Sequence, residues 1–275
     1  MGKLTGQVAL VTGAGRGIGA AIARKLAAEG ASILLNDLDP EPTAAAVAAI
    51  TAAGGRAVAF PGDAAAADFG ERAIAAMVDT LGGVDIIVNN AGYIWNSAIQ
   101  NMTDEQWYAM IDVHATAPFR ILRAATGYIR QAVREETAAG RPKHRKVVNI
   151  SSISGLYGAA TQFAYAAGKS AMIGMTRTLA KEWGRYRVNV NAVAFGYIET
   201  RLTQTLQDRP ATISVHGRDL KVGLDAATTA TMESLIPLGR RGTPEEAAGA
   251  VYLLCTPESD YISGQILVCG GGLLL

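Results

Sequence analysis

Cysteine is nearly missing from this 275-residue chain, with only Cys255 and Cys269 present. Two thiols make no disulfide framework and no cluster at metal-ligand spacing, so no metal centre is expected. Both sit in apolar runs, where a thiol packs as a small hydrophobe. Charge is sparse too. Charged residues make up 18% and the net charge is +1, so no basic field exists to hold nucleic acid or an anionic membrane. No apolar stretch approaches the roughly 20 residues that a spanning helix needs. The opening Met1-Gly2-Lys3-Leu4-Thr5-Gly6 has no apolar signal region and no Ser or Thr at position 6 for myristoylation. A soluble cytoplasmic protein with neither nucleic-acid nor membrane partner is the expectation. Apolar bulk is what the chain does have: 49% of its residues are hydrophobic, enough for a large core. An α/β fold of ~250 residues often forms one unit.

Short β-branched runs alternate with Ala-rich stretches. The candidate strands are 8–12, 32–37, 56–60, 85–89, 146–150, 187–193 and 265–268. Most are continuous apolar runs rather than alternating ones, which suits strands buried on both faces of a parallel sheet. Helical stretches lie between them at 18–29, 43–53, 67–81, 104–131, 165–183 and 244–254. Gly30 supplies a helix stop. Thr243-Pro244-Glu245-Glu246 supplies a start, with an N-cap, a first-turn proline and acids at the positive end of the helix. Strand-helix alternation predicts right-handed crossovers and a doubly wound parallel sheet in one domain, residues 1–275. Two segments break the rhythm. Residues 134–145 are polar, carry Gly140 and Pro142, and read as an exposed loop. Residues 200–237 are long and mixed in pattern, with Pro210 and Gly217, and read as a lid over a site.

The run Thr12-Gly13-Ala14-Gly15-Arg16-Gly17-Ile18-Gly19 follows a candidate strand and opens a candidate helix. Glycines allow a tight turn and let backbone N–H groups approach a pyrophosphate, which the helix N-terminus also favours. The key glycines fall at 13, 17 and 19, unlike the commonest dinucleotide fingerprint, and no Lys-Ser/Thr follows to make a Walker loop. Asp37 ends the second strand, 18 residues after Gly19. A carboxylate there accepts hydrogen bonds from the adenosine ribose and repels a 2′-phosphate, so NAD is favoured over NADP. Arg16 pulls the other way. Asp63, after Phe60-Pro61-Gly62, either touches the adenine edge or simply forms a turn.

Tyr165 and Lys169 stand four apart on one helix face. A tyrosine, with a reference pKa near ~10, is a poor acid-base group at neutral pH. An ammonium one turn away stabilises the phenolate and lowers that value. The pair opens the helix after the fifth strand, on the carboxyl side of the sheet where such folds bind ligands. Ser151-Ser152 closes that strand, and the Ser152 hydroxyl can hold a substrate oxygen. Asn89-Asn90-Ala91-Gly92 ends the fourth strand, where the plain reading is a backbone-bonding turn.

Together, Thr12-Gly13-x-x-x-Gly17-x-Gly19, Asn89-Asn90-Ala91-Gly92, Ser152, Tyr165-x-x-x-Lys169 and the segment 191–200 resemble the short-chain dehydrogenase/reductase family, across nearly the whole chain. The resemblance implies a Rossmann-like fold with a seven-stranded parallel sheet, usually as a tetramer and less often a dimer. It implies Tyr165 as general acid/base, Ser152 as the group that polarises the substrate oxygen, and Lys169 on the nicotinamide ribose. Gly13, Arg16, Gly17, Ile18 and Gly19 then form the cofactor cradle with Asp37. Asn90, Ala91 and Gly92 shape the cofactor channel, Asp63 and Ala64 flank the adenine, and Ile198 and Thr200 meet the nicotinamide amide and phosphate region. Two positions depart from the family. His114 stands where an Asn usually holds a water in a proton relay, so His114 is either a proton shuttle at neutral pH or a packed histidine. Phe195-Gly196 replaces a usual Pro-Gly, so the loop under the nicotinamide is looser, or Phe195 lines the pocket.

The expectation is reversible hydride transfer between NAD(H) and a secondary alcohol/ketone pair, possible for a bulky substrate under a long lid and needing no metal. One rival is an NADP(H)-dependent 3-oxoacyl-thioester reductase. Another is a dinucleotide-binding protein without turnover, whose hallmark would be a lost Tyr, Lys or Ser. A third is epimerase or dehydratase chemistry, whose extended relatives usually carry a larger C-terminal region.

Overall fold

The seven apolar runs do form one parallel sheet. The computed structural model describes residues 2–205, 211–215, 217–223 and 225–273, with the side chains of residues 211 and 221 left aside. The strands are β1 (Val8–Val11), β2 (Ser32–Leu35), β3 (Arg56–Ala59), β4 (Ile86–Asn89), β5 (Arg145–Ser152), β6 (Val188–Phe195) and, at the far end, β9 (Ile266–Cys269). They lie in the order β3-β2-β1-β4-β5-β6-β9. The order reverses between β1 and β4, both of which pair in parallel register, Ala9 opposite Ile86 and Val11 opposite Val88. A crevice opens at that reversal, at the carboxyl ends of the strands. β1, β4, β5 and β6 are buried along their whole length. That is why β1 reads as a continuous apolar run, while β5 and β6 bury polar side chains such as Asn149 and Asn191 that find hydrogen-bond partners.

Helices cover both faces. α1 (Gly17–Ala28), α2 (Pro40–Ala52) and α9 (Pro244–Leu253) enclose one core, around Ile22, Leu26, Ile33, Val193 and Val251. α3 (Phe69–Ala76), α5 (Ala117–Ala138) and α7 (Phe163–Trp183) enclose the other, around Phe69, Met77, Ile121, Val147 and Trp183. α4 (Asp104–Ile111) starts on a full capping box between Thr103 and Gln106, and α9 on one between Thr243 and Glu246. α6 (Ile153–Tyr157) is a short turn after β5. The long fourth helical stretch is not uniform, because Asp112–Thr116 widens into a π-helical turn before α5. Such bulges gather at functional sites.

One expectation needs correction, and one segment gains detail. Residues 134–145 are largely exposed but only partly loop. α5 runs on to Ala138, and Arg145 begins β5 with only 2% of its surface exposed. The reason is a pair invisible at short range: Arg145 donates to both carboxylate oxygens of Glu136 (3.1 and 2.5 Å) and to the Val84 carbonyl. Only the stretch between them, with Gly140 and Pro142, is loop. Residues 200–237, read as a lid, carry secondary structure of their own. They hold an antiparallel hairpin, β7 (Ala211–Val215) and β8 (Arg218–Val222), turning through Gly217 at φ 74°, and then α8 (Ala226–Ser234). Ile213, Leu220 and Val222 on the hairpin pack with Tyr93, Trp95 and Leu202. Pro210 lies outside the described residues.

Candidate active site

The glycine cradle is shaped by backbone crowding. A Cβ on Gly19 would fall 2.1 Å from the Gly13 carbonyl oxygen, and one on Gly13 2.7 Å from the Ala91 Cα. Gly13 and Gly17 hold φ of 62° and 56°, which a side chain resists. Gly17 meets nothing on its open side and begins α1, so free N–H groups and the helix dipole face the crevice. Asn90 clamps the turn from the β4 end: its amide donates to the carbonyls of Thr12 and Gly13 at 2.9 and 3.0 Å. The Thr12 hydroxyl accepts from the Asn90 and Ala91 N–H groups, both at 3.0 Å. The cradle therefore fits a pyrophosphate.

Asp37 accepts from the Gly15 N–H at 2.8 Å. Arg16 is not free, because it pairs with Asp39 at 3.0 Å. Asp63 accepts from the Ala65 N–H at 2.8 Å, so it forms the expected turn while also lining the crevice. Ala64 is buried beside it.

At the other end of the crevice, Tyr165 and Lys169 project from the first turns of α7. The Lys169 ammonium donates to the Ile150 carbonyl at 2.9 Å and lies 5.7 Å from the Tyr165 ring centre. The Ser151 hydroxyl donates to the Lys169 carbonyl at 2.8 Å, tying β5 to α7. Ser152, the last residue of β5, accepts from the Ser154 N–H at 3.1 Å. The entry to α7 is strained. Thr161, β-branched, sits at φ 65°, pinned by its carbonyl to the Ser97 N–H at 2.8 Å.

Among the protein's own influences, burial is the largest on both Tyr165 and Lys169. It pushes the phenol above its usual 10, and the Ser152 hydroxyl pulls it back only in part. Burial also brings Lys169 from 10.5 down to about 7. The low-dielectric setting disfavours both charged forms before either can stabilise the other. Tyr165 is thus held as a neutral acid.

His114, in the π-helical turn, is 1% exposed. Its Nε2 lies 2.8 Å from the Tyr93 carbonyl oxygen and so carries the proton. Its Nδ1 has no partner. Burial first, then the Lys169 charge, push it well below the ordinary histidine value. Both causes favour the neutral ring, in keeping with the packed-histidine alternative. Gly92 and Gly168 make room for the ring, since a Cβ would fall 2.3 Å from its Cε1 and 2.8 Å from its Cβ respectively.

One cleft of about 770 Å³ collects every candidate catalytic and cofactor-binding residue. It runs from Gly13, Arg16, Gly17, Ile18, Gly19 and Asp37 past Asp63, Ala64, Asn90, Ala91 and Gly92 to His114, Ser152, Tyr165, Lys169, Ile198 and Thr200. Phe195 lines it as well and is buried at the end of β6, so the loop is anchored rather than loosened. The Thr200 hydroxyl accepts from the Leu202 N–H at 3.2 Å, capping the start of the lid. Sequence reasoning missed Tyr93, Gln162, Arg201 and Arg218 on the cleft wall. Gln162, three before Tyr165, buries an unpaired Oε1. Arg218 bridges from the hairpin to Glu105 at 2.6 Å and lies over Trp95. Arg201 is a cleft guanidinium whose field includes Arg16, Asp37 and Asp39. Only its charge in the lid's first turn hinted at it.

Residues 7–211 match the family model for short chain dehydrogenases. The chain belongs to the short-chain dehydrogenase family. It is 38% identical to the short-chain reductase protein NovJ of Streptomyces niveus, over 96% of this chain and 93% of that one. It is 36% identical to a 3-oxoacyl-(acyl-carrier-protein) reductase of Synechocystis sp. over the full length of both. A solved mutant short-chain dehydrogenase/reductase of Serratia marcescens superposes with a TM-score of 0.83 at 27% identity, covering 98% of this chain and 99% of that one. This short-chain dehydrogenase is thus an oxidoreductase that binds a nicotinamide dinucleotide, with the seven-stranded Rossmann-like sheet of its family. Among the described residues, no helix is long and apolar enough to cross a membrane.

Proposed function

We propose that this enzyme interconverts a secondary alcohol and a ketone with NAD(H), with Tyr165 moving the proton. The observation that carries it is the meeting of Tyr165, Ser152 and Lys169 in the cleft that also holds the glycine cradle. When bound, the nicotinamide supplies or takes up the hydride. Ser152, beside the phenol, holds the substrate oxygen. Tyr165, kept neutral by burial, donates its proton to that oxygen in reduction. In oxidation the same oxygen removes the proton, and a charged Lys169 would stabilise the phenolate. Lys169 spends one N–H on Ile150, leaving others for ribose hydroxyls.

Asp37 supports NAD. Its carboxylate sits where the family resemblance puts the adenosine ribose, and Arg16 is already engaged by Asp39. A second reading, NADP(H)-dependent reduction of a 3-oxoacyl thioester, is favoured by the names of relatives such as the Synechocystis reductase. Following reduced-nicotinamide absorbance with each cofactor, against secondary alcohols and 3-oxoacyl thioesters, separates the two. Turnover with NADP alone would overturn the first. The hairpin over Tyr93 and Trp95 forms one wall of the substrate end, which supports its role as a lid for a sizeable substrate. A homo-oligomer is supported by the sheet's outer strand β9, where Leu267 and Val268 are exposed beside Tyr261 and Ile262. Light scattering of the purified enzyme tests it.

A further inference from the structure

His114 makes two contacts that belong to different parts of the site. Its Nε2–H donates to the Tyr93 carbonyl at 2.8 Å. Its ring meets the Tyr165 ring edge to face, with centres 5.1 Å apart and planes at 89°. Tyr93 begins the run Tyr93-Ile94-Trp95-Asn96, and three of these four residues line the substrate end of the cleft. The fourth, Trp95, packs with the hairpin. The imidazole therefore bridges the phenol and the root of the substrate loop.

We infer that His114 is a positioning residue: the neutral imidazole sets the angle of the Tyr165 ring and couples it to the substrate loop through the Tyr93 carbonyl. The inference rests on the proposed role of Tyr165. The ring is held from all sides. Gly92 presses on the Nδ1–Cε1 edge and Gly168 on the Cβ, each position tolerating only glycine. The π-helical turn around Asp112–Thr116 offsets the ring from the α4 register. An edge-to-face aromatic pair favours one mutual angle, and with both rings buried that angle is fixed. The Nδ1 lone pair faces Gly92 and takes no proton donor. The neutral imidazole thus has one donor, which it spends on the Tyr93 carbonyl. An asparagine side chain has no ring to meet Tyr165 and ends one bond short of the Nε2 position that meets the Tyr93 carbonyl.

Two variants separate the contacts. His114→Gln keeps an N–H within reach of the Tyr93 carbonyl but loses the ring, and His114→Asn loses both. With NADH and ethyl 3-oxohexanoate, kcat is expected to fall roughly tenfold in both, as a misplaced catalytic group requires. KM is expected to rise in His114→Asn only, because only there is the loop released. A readout independent of turnover uses tyrosine labelled at Cζ with ¹³C, the Tyr165 signal being the one lost in Tyr165→Phe. That signal is expected to shift or broaden in both His114 variants while they stay folded, with NAD affinity close to the parent. An unchanged Tyr165 signal, or an unchanged kcat in either variant, would overturn the inference. So would equal KM changes in the two. Should Tyr165→Phe itself turn over normally, the role of Tyr165 fails instead, whatever the His114 variants do.

Discussion

The Asp37 carboxylate accepts the Gly15 N–H at 2.8 Å, so the end of β2 is fastened to the glycine cradle. An anion fixed at that place opposes a 2′-phosphate and accepts ribose hydroxyls. The enzyme is expected to prefer NAD over NADP in kcat/KM by about tenfold or more, a difference of ~1.4 kcal/mol. Asp37→Ser should lower kcat/KM for NAD and narrow the ratio. A parent that prefers NADP, or a ratio untouched by Asp37→Ser, would contradict this.

Arg201 stands in the first turn of the lid, facing the cleft within the field of Arg16. Two guanidiniums across a phosphate cradle repel each other until an anion comes between them. Arg201→Gln is therefore expected to weaken binding of ADP-ribose by roughly five- to tenfold and to leave adenosine binding unchanged. Calorimetry with the two ligands measures this. An equal loss for both would mean that Arg201 acts through the fold, not on phosphate.

Lys169 carries a cost of burial that depends on pH. Its native value of about 7 lies below the 10.5 of an unfolded lysine. Between those values the unfolded chain holds a proton that the native chain lacks, so stability rises with pH across this window. Lys169→Met is expected to flatten that rise and to stabilise the protein at neutral pH, while removing activity. Urea unfolding at pH 7 and pH 9.5 tests it. The idea fails if the parent's slope persists in the variant.

Arg145 and Glu136 form a nearly buried pair far from the catalytic groups. Removing one partner leaves the other charge uncompensated, at a cost of about 3–5 kcal/mol. Glu136→Ala should lower the denaturation midpoint accordingly and leave kcat of the folded enzyme unchanged. A shift of under about 0.5 kcal/mol, typical of surface changes, would count against the pair.

The middle of the sheet was legible because its strands are buried on both faces, and burial writes itself as continuous apolar runs such as Val8–Val11 and Ile86–Val88. The cofactor residues were legible because the glycines and Asp37 answer local backbone demands. Residues 134–138 were misread as loop because polarity marks exposure, which most of them have, and an exposed last turn of α5 looks the same in sequence as a polar loop. The β7–β8 hairpin was missed because its core is small, and its partners Tyr93 and Trp95 come from more than a hundred residues earlier. The protonation of Tyr165 and Lys169 could not be read from their spacing. Spacing gives contact, whereas burial sets the cost of charge, and burial is a property of the whole fold.

The central claim is that the Tyr165 phenol carries the proton beside a bound nicotinamide. The most direct measurement pairs turnover with NAD affinity in Tyr165→Phe, which removes one oxygen and little else. The account predicts that kcat falls by about a hundredfold or more, as loss of a general acid/base does, while the NAD dissociation constant stays within about twofold of the parent. Turnover near the parent's, with NAD still bound, would contradict it.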